Sequence, residues 1–130
     1  MRLRLALLVV PAALSGCGFL YNPFGVFPPR TVTHENSGAE ISLAHGQQLF
    51  VRLPYKAEPG YEWVVREPPI VAVLAEGAPA QDKNAGIEVW TFTPVRDGEQ
   101  TLRLEYRRPE DYVVAPVQSV SYHVTVERKL

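Results

Sequence analysis

Residues 120–127 read VSYHVTVE, an unbroken alternation of apolar and polar side chains. Successive side chains of an extended strand point to opposite faces of a sheet, so this alternation predicts a strand with one buried face and one solvated face. Three further segments alternate in the same way: residues 49–53, 89–93 and 101–107. Weaker candidates for strands are residues 40–43, 61–66 and 69–74.

Turn signals rich in glycine, proline and asparagine separate these segments, and they lie at residues 45–46, 58–60, 67–69, 84–86, 97–98 and 108–109. No helical period competes with the alternation. About seven short strands with such turns are typical of an all-β, immunoglobulin-like antiparallel β-sandwich. The large side chains expected to fill its core are Trp63, Trp90, Phe92, Tyr106 and Tyr122.

The beginning of the chain has a different pattern. Two arginines within the first four residues precede an apolar run at residues 5–14, and the tetrapeptide LSGC follows at residues 14–17. The apolar run is far shorter than the roughly 20 residues that a membrane-spanning helix needs. Its order of charge, apolar run and small residues predicts a secretory signal peptide. The tetrapeptide resembles the lipobox of bacterial lipoproteins, which implies cleavage before Cys17 and lipid on its sulfur.

These signals divide the chain into three parts: a signal peptide at residues 1–16, a lipidated N-terminus and tether at residues 17–30, and a domain at residues 31–130. The aromatic residues of the tether either rest at the lipid interface or pack on the domain. Gly18 directly after Cys17 resembles lipoproteins that are sent to the outer membrane. The expected location is therefore the bacterial cell envelope, with a lipid anchor in the outer membrane.

Composition excludes several classes of function. The whole chain has 13 basic and 14 acidic residues, and removal of the signal peptide takes away two arginines. No basic stripe is present, so nucleic acid is not an expected partner. The chain has one cysteine, and lipidation would consume it. The mature domain is therefore expected to have no disulfide, thiol nucleophile or thiolate metal ligand.

The usual catalytic and metal-binding patterns are also missing from the sequence. His34, His45 and His123 are not at zinc-ligand spacings, and no Gly-x-Ser-x-Gly or glycine-rich phosphate loop occurs. Glu110 and Asp111 are adjacent acids that a loop would leave solvated. We therefore expect no enzyme, no metal and no cofactor. Function on such a scaffold is expected in the loops at one end of the sandwich.

Four stretches resemble one known family. They are GQQLFVRLP at residues 46–54, PGYEW at 59–63, NAG at 84–86 with Trp90 and Phe92 downstream, and a segment from Gly98 that ends in YRRP at 106–109. In this order they are similar to the chagasin-like inhibitors of papain-class cysteine peptidases. The resemblance covers about residues 40–127.

The resemblance implies that three loops form a wedge, which enters the cleft of a papain-class peptidase and blocks it reversibly. The corresponding loops are residues 56–61, 83–87 and 107–112. With the lipid on Cys17, the chain would be a membrane-anchored inhibitor. The implied contact residues are Glu58, Pro59, Gly60, Tyr61, Asn84, Ala85, Gly86, Arg108, Pro109, Glu110 and Tyr112.

The loops also depart from the pattern of the family. Residues 56–60 read KAEPG where the family has Asn-Pro-Thr-Thr-Gly, so the two threonines are missing. In the second loop, Asn84 and Ala85 stand where close backbone approach would favour glycine. In the third, Glu110 stands where the family has an aromatic residue, and Tyr112 is the local candidate to replace that residue.

Two readings of the sequence stay open. Arg108 either braces its own loop or contacts a partner. For the whole chain, the alternative to a peptidase inhibitor is a non-inhibitory envelope lipoprotein that uses the same sandwich for protein–protein binding or assembly. Trp63 and Trp90 are expected in the core rather than at a contact surface because both lie in strand segments.

Overall fold

The computed structural model describes residues 27–56, 58–66 and 68–128. The predicted signal peptide at residues 1–16, Cys17 and most of the tether at residues 17–30 lie outside the described residues. Within the described ranges, no helix is both long and apolar enough to cross a membrane.

The described ranges contain nine strands and one short 3-10 turn at His34–Asn36. The strands are β1 (Arg30–Thr33), β2 (Glu40–Ala44), β3 (Leu49–Pro54), β4 (Glu62–Arg66), β5 (Leu74–Glu76), β6 (Ala80–Asp82), β7 (Ile87–Pro94), β8 (Gly98–Arg107) and β9 (Gln118–Glu127). One sheet has the order β1-β3-β7-β5, with β6 also paired to β7. The other has the order β2-β9-β8-β4. The chain is thus an all-β sandwich, as the alternation predicted.

The core lies between the inner faces of the two sheets. Burial alternates strictly along β7 and along most of β9, which is the period of two seen in the sequence. Trp63 and Trp90 are both buried, which confirms their predicted place in the core. Trp90 and Phe92 lie on the same face of β7 with their rings stacked 6.2 Å apart, and Trp63 packs on Tyr106 at 5.5 Å. Large aromatic side chains therefore supply much of the buried apolar surface.

The sheets are mixed rather than purely antiparallel, which corrects one prediction. β1 pairs in parallel with β3, and β2 pairs in parallel with β9. These two strands follow each other in the chain but add to edges of different sheets, because the segment around the 3-10 turn crosses between the sheets. Alternation within a strand shows which face is buried and gives no information about the partner strand.

Two short strands and one boundary also differ from the prediction. β1 and β6 were not expected, and the described sandwich has nine strands where about seven were predicted. Residues 69–73 are not a strand, although residues 69–74 were a candidate. This segment is held instead by the buried Gln100, whose side-chain oxygen accepts the backbone N–H groups of Val73 (2.9 Å) and Leu74 (3.2 Å).

Strand directions define two ends of the sandwich. At one end, here called the loop end, β3 finishes and β4 begins, and the Trp63 indole N–H donates to the carbonyl of Pro54 (2.9 Å). At the other end, here called the base, β1 begins and β7 finishes. Arg30 pairs with Leu49 there, and Leu49 pairs with Phe92 on β7. The described chain therefore starts at the base.

Candidate functional site

Three connecting segments meet at the loop end. Loop 1 joins β3 to β4 at residues 55–61, loop 2 joins β6 to β7 at residues 83–86, and loop 3 joins β8 to β9 at residues 108–117. Loop 1 contacts both of the others. Its Tyr55 N–H donates to the carbonyl of Gly86 (2.8 Å), and the Arg108 guanidinium lies 4.9 Å from the centre of the Tyr61 ring. The fold thus brings together the three segments that the sequence pointed to.

Loop 1 is built around a tight turn at Glu58, Pro59 and Gly60. The N–H of Tyr61 donates to the carbonyl of Glu58 (3.2 Å), and Gly60 has a φ of 83°. A type II turn requires a positive φ at its third position and favours proline at its second, which is why this Pro-Gly pair fits here. Glu58, Pro59 and Gly60 are exposed, whereas Tyr61 is half-buried.

The inner side of loop 1 rests on a core tyrosine. The hydroxyl of Tyr106 donates to the carbonyl of Lys56 (2.8 Å), and its ring lies 5.7 Å from the ring of Tyr61. Burial raises the pKa of Tyr106, and the nearby charge of Glu58 raises it further. The hydroxyl therefore stays protonated and available as a donor at neutral pH. This bond fixes the start of loop 1 to the core.

Loop 2 is a four-residue hairpin connection held by Asp82. One carboxylate oxygen of Asp82 accepts the backbone N–H groups of Asn84 and Ala85, each at 3.1 Å. Gly86 ends the turn with a φ of 68°, a conformation that favours glycine. Asn84 and Ala85 are exposed at the tip. The predicted loop at residues 83–87 ends one residue earlier, because Ile87 is the first residue of β7.

Loop 3 is longer than predicted and begins one residue later. The expected range was residues 107–112, whereas the connection runs through residues 108–117 and Arg107 is the last residue of β8. A turn at Pro109 and Glu110 is closed by the N–H of Asp111, which donates to the carbonyl of Arg108 (3.1 Å). Beyond the turn, four large apolar side chains are exposed: Tyr112, Val113, Val114 and Val117. The sequence did not mark Val113, Val114 or Val117, because apolar residues next to a proline could equally be part of a strand.

A charged cluster with a buried centre at Glu105 and Arg107 lies beneath loop 3. The Glu105 carboxylate is within ion-pair distance of three arginines, Arg66 (3.3 Å), Arg103 (2.9 Å) and Arg107 (3.3 Å). The Arg107 guanidinium also donates to the backbone carbonyls of Val114 (2.5 Å) and Asp111 (3.4 Å). Arg107 therefore connects the charged cluster to the backbone of loop 3.

The burial of this cluster corrects the polar, solvated face predicted for this part of β8. The side chains of Glu105 and Arg107 are only 7% and 5% exposed. Loop 3 folds back over the outer face of the sheet, and the N–H of Val117 donates to the carbonyl of Tyr106 (2.9 Å). Alternation in β8 identified the outward-facing side chains, but a covering loop has no signature in that pattern.

Arg108 and Tyr112 are placed by cation–π contacts. Arg108 lies over Tyr61 of loop 1, so it braces the neighbouring loop rather than its own. Tyr112 has Arg66 over its ring at 5.2 Å while 67% of the residue stays exposed. Such contacts contribute about 0.5–1 kcal/mol at exposed sites, enough to favour one ring orientation. Tyr112 is thus an oriented, accessible aromatic residue near the position where the resemblance places one.

The described residues contain no group of three or more histidine, cysteine or acidic side chains that could hold a metal ion. Two of the three histidines contact acids: His45 contacts Asp97, and His123 lies 2.8 Å from Glu99. Both pairs lie at least partly in solvent, away from the three loops. The candidate site is thus the surface of three loops on a module with an immunoglobulin-like sandwich fold.

Comparison with known proteins identifies the family of this module. Residues 42–126 match the family described as Chagasin family peptidase inhibitor I42, and the chain belongs to that family. Membership of a family of inhibitors also confirms the prediction that the chain is not an enzyme. No curated protein matches the chain.

Two solved structures illustrate the shared fold. The cysteine protease inhibitor EhICP2 of Entamoeba histolytica is 20% identical, covers 77% of this chain and 96% of its own chain, and gives a TM-score of 0.67. Amebosin, solved in solution, is 24% identical, covers 78% of this chain and 100% of its own chain, and gives a TM-score of 0.56. The structural match covers nearly the whole of each of these two solved proteins, so their fold is the fold of this domain.

Proposed function

We propose that this chain is a lipid-anchored inhibitor of papain-class cysteine peptidases, which blocks the active-site cleft reversibly with loops 1, 2 and 3. The observation that carries the proposal is the joined arrangement of the three loops at one end of a sandwich of the chagasin family. One solved structure with the same fold is described as a cysteine protease inhibitor. No covalent step is needed, because a wedge inhibits by filling the cleft.

The internal bonds of the loops support binding as a preformed surface. Tyr106 ties loop 1 to the core, Asp82 closes the turn of loop 2, and Arg107 bonds loop 3 to the end of β8. Ordering a mobile side chain on binding costs about 0.5–1.5 kcal/mol, and a loop that is already ordered avoids much of that cost. Interfaces of this kind reach high affinity through preorganisation more than through area.

The position of the base supports the anchored form of the inhibitor. The described chain starts at the base, where the N–H of Arg30 donates to the carbonyl of Gln48 (2.9 Å). A lipid on Cys17 would therefore be connected to the domain at the end opposite to the three loops. Attachment at this end does not cover the three loops, so they stay accessible to a peptidase.

The test is a titration of the mature chain without lipid, residues 18–130, against several papain-class peptidases, with residual activity followed on a small fluorogenic substrate. We expect nanomolar, competitive inhibition. The chain should still bind a peptidase whose catalytic cysteine carries a small alkyl group, provided that this group leaves the cleft open. Binding is expected because the wedge forms no covalent bond with the cysteine. A trypsin-like serine peptidase serves as the control and should be unaffected.

A second candidate is a non-inhibitory envelope lipoprotein that binds another envelope protein through the same end. The loop chemistry favours it in one respect: Glu58 and Glu110 are exposed at turn tips where the family has small hydroxyl and aromatic residues. A demonstrably folded chain that inhibits none of the peptidases at micromolar concentration would reject the first candidate and support this one.

A further inference from the structure

The large exposed apolar side chains of the described residues lie at the base and in loop 3. Seven large apolar residues are exposed there: Ile70, Val71, Val95, Tyr112, Val113, Val114 and Val117. The last four belong to loop 3 at the loop end. The first three lie at the base, in the segments that follow β4 and β7. The proposed peptidase contact accounts for the loop end and leaves the apolar side chains at the base without a role.

The apolar segments at the base are held together. The N–H of Val95 donates to the carbonyl of Val73 (2.8 Å), and the Nε of Arg96 donates to the carbonyl of Ala72 (2.8 Å). Gln100 fixes the end of the first segment from below, as described above. Ile70 is fully exposed, two residues before the bonded carbonyl of Ala72. The base therefore presents Ile70, Val71 and Val95 on a fixed support.

The chain also begins its described part at this end. The side-chain amide of Gln47, in the turn between β2 and β3, donates to the carbonyl of Pro28 (3.0 Å). Nine residues separate Cys17 from Phe27. A chain spans at most about 3.6 Å per residue, so a lipid on Cys17 keeps the base within roughly 35 Å of the bilayer surface. At such a distance even a weak contact is favoured by a high effective concentration.

The charges at the base permit contact with a bilayer. Its acids Asp97 and Glu99 contact His45 and His123 respectively. Arg96 is exposed next to Val95 and lies where its guanidinium can meet lipid phosphates. Arg30, Glu127 and Arg128 lie at the same end, so the surface has mixed charge. Apolar insertion, with arginine at the level of the head groups, is the mode of contact that this composition favours.

We propose that the base is a membrane-docking face: Ile70, Val71 and Val95 insert into the bilayer that holds the lipid of Cys17 and so fix the loop end outward. This inference rests on the proposed anchored inhibitor. It adds an orientation that the lipid alone would not impose, because a single tether leaves a domain free to rotate.

The test uses the full mature chain, lipidated on Cys17 and reconstituted in vesicles of phosphatidylethanolamine and phosphatidylglycerol. Lipidation consumes the only cysteine, so one introduced cysteine can be labelled with an environment-sensitive fluorophore. The label is placed at the base by Ile70→Cys and, as a matched control, at the loop end by Val113→Cys, a position that is 95% exposed. We expect a blue shift and quenching by nitroxide-bearing lipids at position 70 and neither effect at position 113.

A second variant tests the apolar contact itself. In the chain labelled at position 70, Val71→Ser with Val95→Ser should at least halve the quenching by nitroxide-bearing lipids. Both residues are exposed, so these changes leave the core unaltered. The docking face would be overturned if the label at position 70 emitted at the wavelength of the fluorophore in water. Equal quenching at positions 70 and 113 would overturn it as well.

Failure of the docking face can be told apart from failure of the inhibitor. The preparation labelled at position 70, far from the three loops, is assayed for peptidase inhibition in detergent, and the mass of the N-terminal peptide reports the lipid on Cys17. Full inhibition with lipid present but no quenching would reject the docking face alone. Absence of the lipid would reject both the anchor and the docking face, and absence of inhibition would reject the peptidase inhibitor.

Discussion

Arg107 is the residue on which the shape of loop 3 depends most directly. Its guanidinium donates to the carbonyls of Val114 and Asp111 while the Glu105 carboxylate lies 3.3 Å away. We expect Arg107→Lys to lower the free energy of unfolding by about 1–3 kcal/mol. The two bonds come from different nitrogens of the guanidinium, and the single nitrogen of lysine cannot occupy both positions, so at least one bond is lost. The inhibition constant should rise more than tenfold as loop 3 loosens. Urea denaturation and the peptidase assay measure the two effects.

A neighbouring arginine provides the control for this prediction. Arg103 also pairs with Glu105 (2.9 Å), but its side chain is 40% exposed and no bond joins it to the described part of loop 3. Arg103→Lys should change both quantities little, by about 0.5 kcal/mol or less. Equal weakening of inhibition by the two lysine variants would mean that the charge near Glu105, rather than the bonds of Arg107, determines the shape of the loop.

Tyr122 gives the stability of the domain a dependence on alkaline pH. Its hydroxyl donates to the carbonyl of Thr33 (2.6 Å), and burial raises the pKa of Tyr122 from 10.0 to about 12. Between these values the unfolded chain loses the proton first, so the free energy of unfolding should fall as pH rises from about 10 to 12. The decrease from this residue is at most about 3 kcal/mol, at about 1.4 kcal/mol per unit of pKa. Denaturation curves at several alkaline pH values measure it.

The variant Tyr122→Phe separates this residue from others that titrate in the same range. It should cost about 1 kcal/mol at neutral pH through the lost hydrogen bond, and it should flatten the decrease above pH 10. Part of the decrease should remain, because the pKa of the buried Tyr106 is raised as well. An unchanged slope in Tyr122→Phe would show that Tyr122 is not the source.

Among the described elements, loop 3 carries four of the seven large exposed apolar residues. Tyr112 is oriented by Arg66 and exposed, and aromatic residues of this kind often dominate the energy of an interface. We expect Tyr112→Ala to raise the inhibition constant tenfold or more, which corresponds to about 1.4 kcal/mol. Val71→Ala, at an equally apolar site of the base, is the matched control and should leave inhibition unchanged.

Loop 1 offers a second contact whose effect on the inhibition constant can be compared with that of loop 3. Glu58→Arg reverses the charge at the tip of loop 1 without touching loop 3, and a tenfold change there would place the tip against the peptidase as well. If Glu58→Arg changes the inhibition constant and Tyr112→Ala does not, then loop 1 is the main contact and the exposed apolar side chains of loop 3 are not.

The elements differ in how far the sequence could predict them. β3, β7, β8 and β9 were predicted because their apolar side chains alternate with polar ones, a period of two that can be read locally. β1 and β6 were missed because they are short and mostly exposed, so their side chains follow no strict pattern. The turn chemistry of Glu58, Pro59 and Gly60 was equally local and was correctly placed.

The features that were missed depend on contacts between distant parts of the chain. Glu105 and Arg107 have the sequence pattern of solvated strand residues, and only the return of loop 3 over β8 buries them. Likewise, Arg108 was expected to brace its own loop or to contact a partner. The fold places it over Tyr61 of loop 1, and its contact with a partner stays a prediction. The end of loop 3 at residue 117 follows from pairing between β8 and β9, which no local pattern reveals.

At the scale of the whole molecule, the three loops and the base lie at opposite ends of the sandwich. We therefore expect that anchoring through Cys17 leaves inhibition intact. The mature chain held in vesicles through lipid on Cys17 should inhibit a soluble papain-class peptidase within about twofold of the lipid-free chain, because the three loops lie opposite to the base. The control is a chain with Cys17→Ser and Val113→Cys, coupled to a maleimide lipid, which turns loop 3 towards the bilayer and should lose most inhibition. Inhibition constants from vesicle suspensions measure the difference. Similar constants for the two attachments would mean that the peptidase reaches the domain from the side, and the opposition of loops and base would then have no role in access.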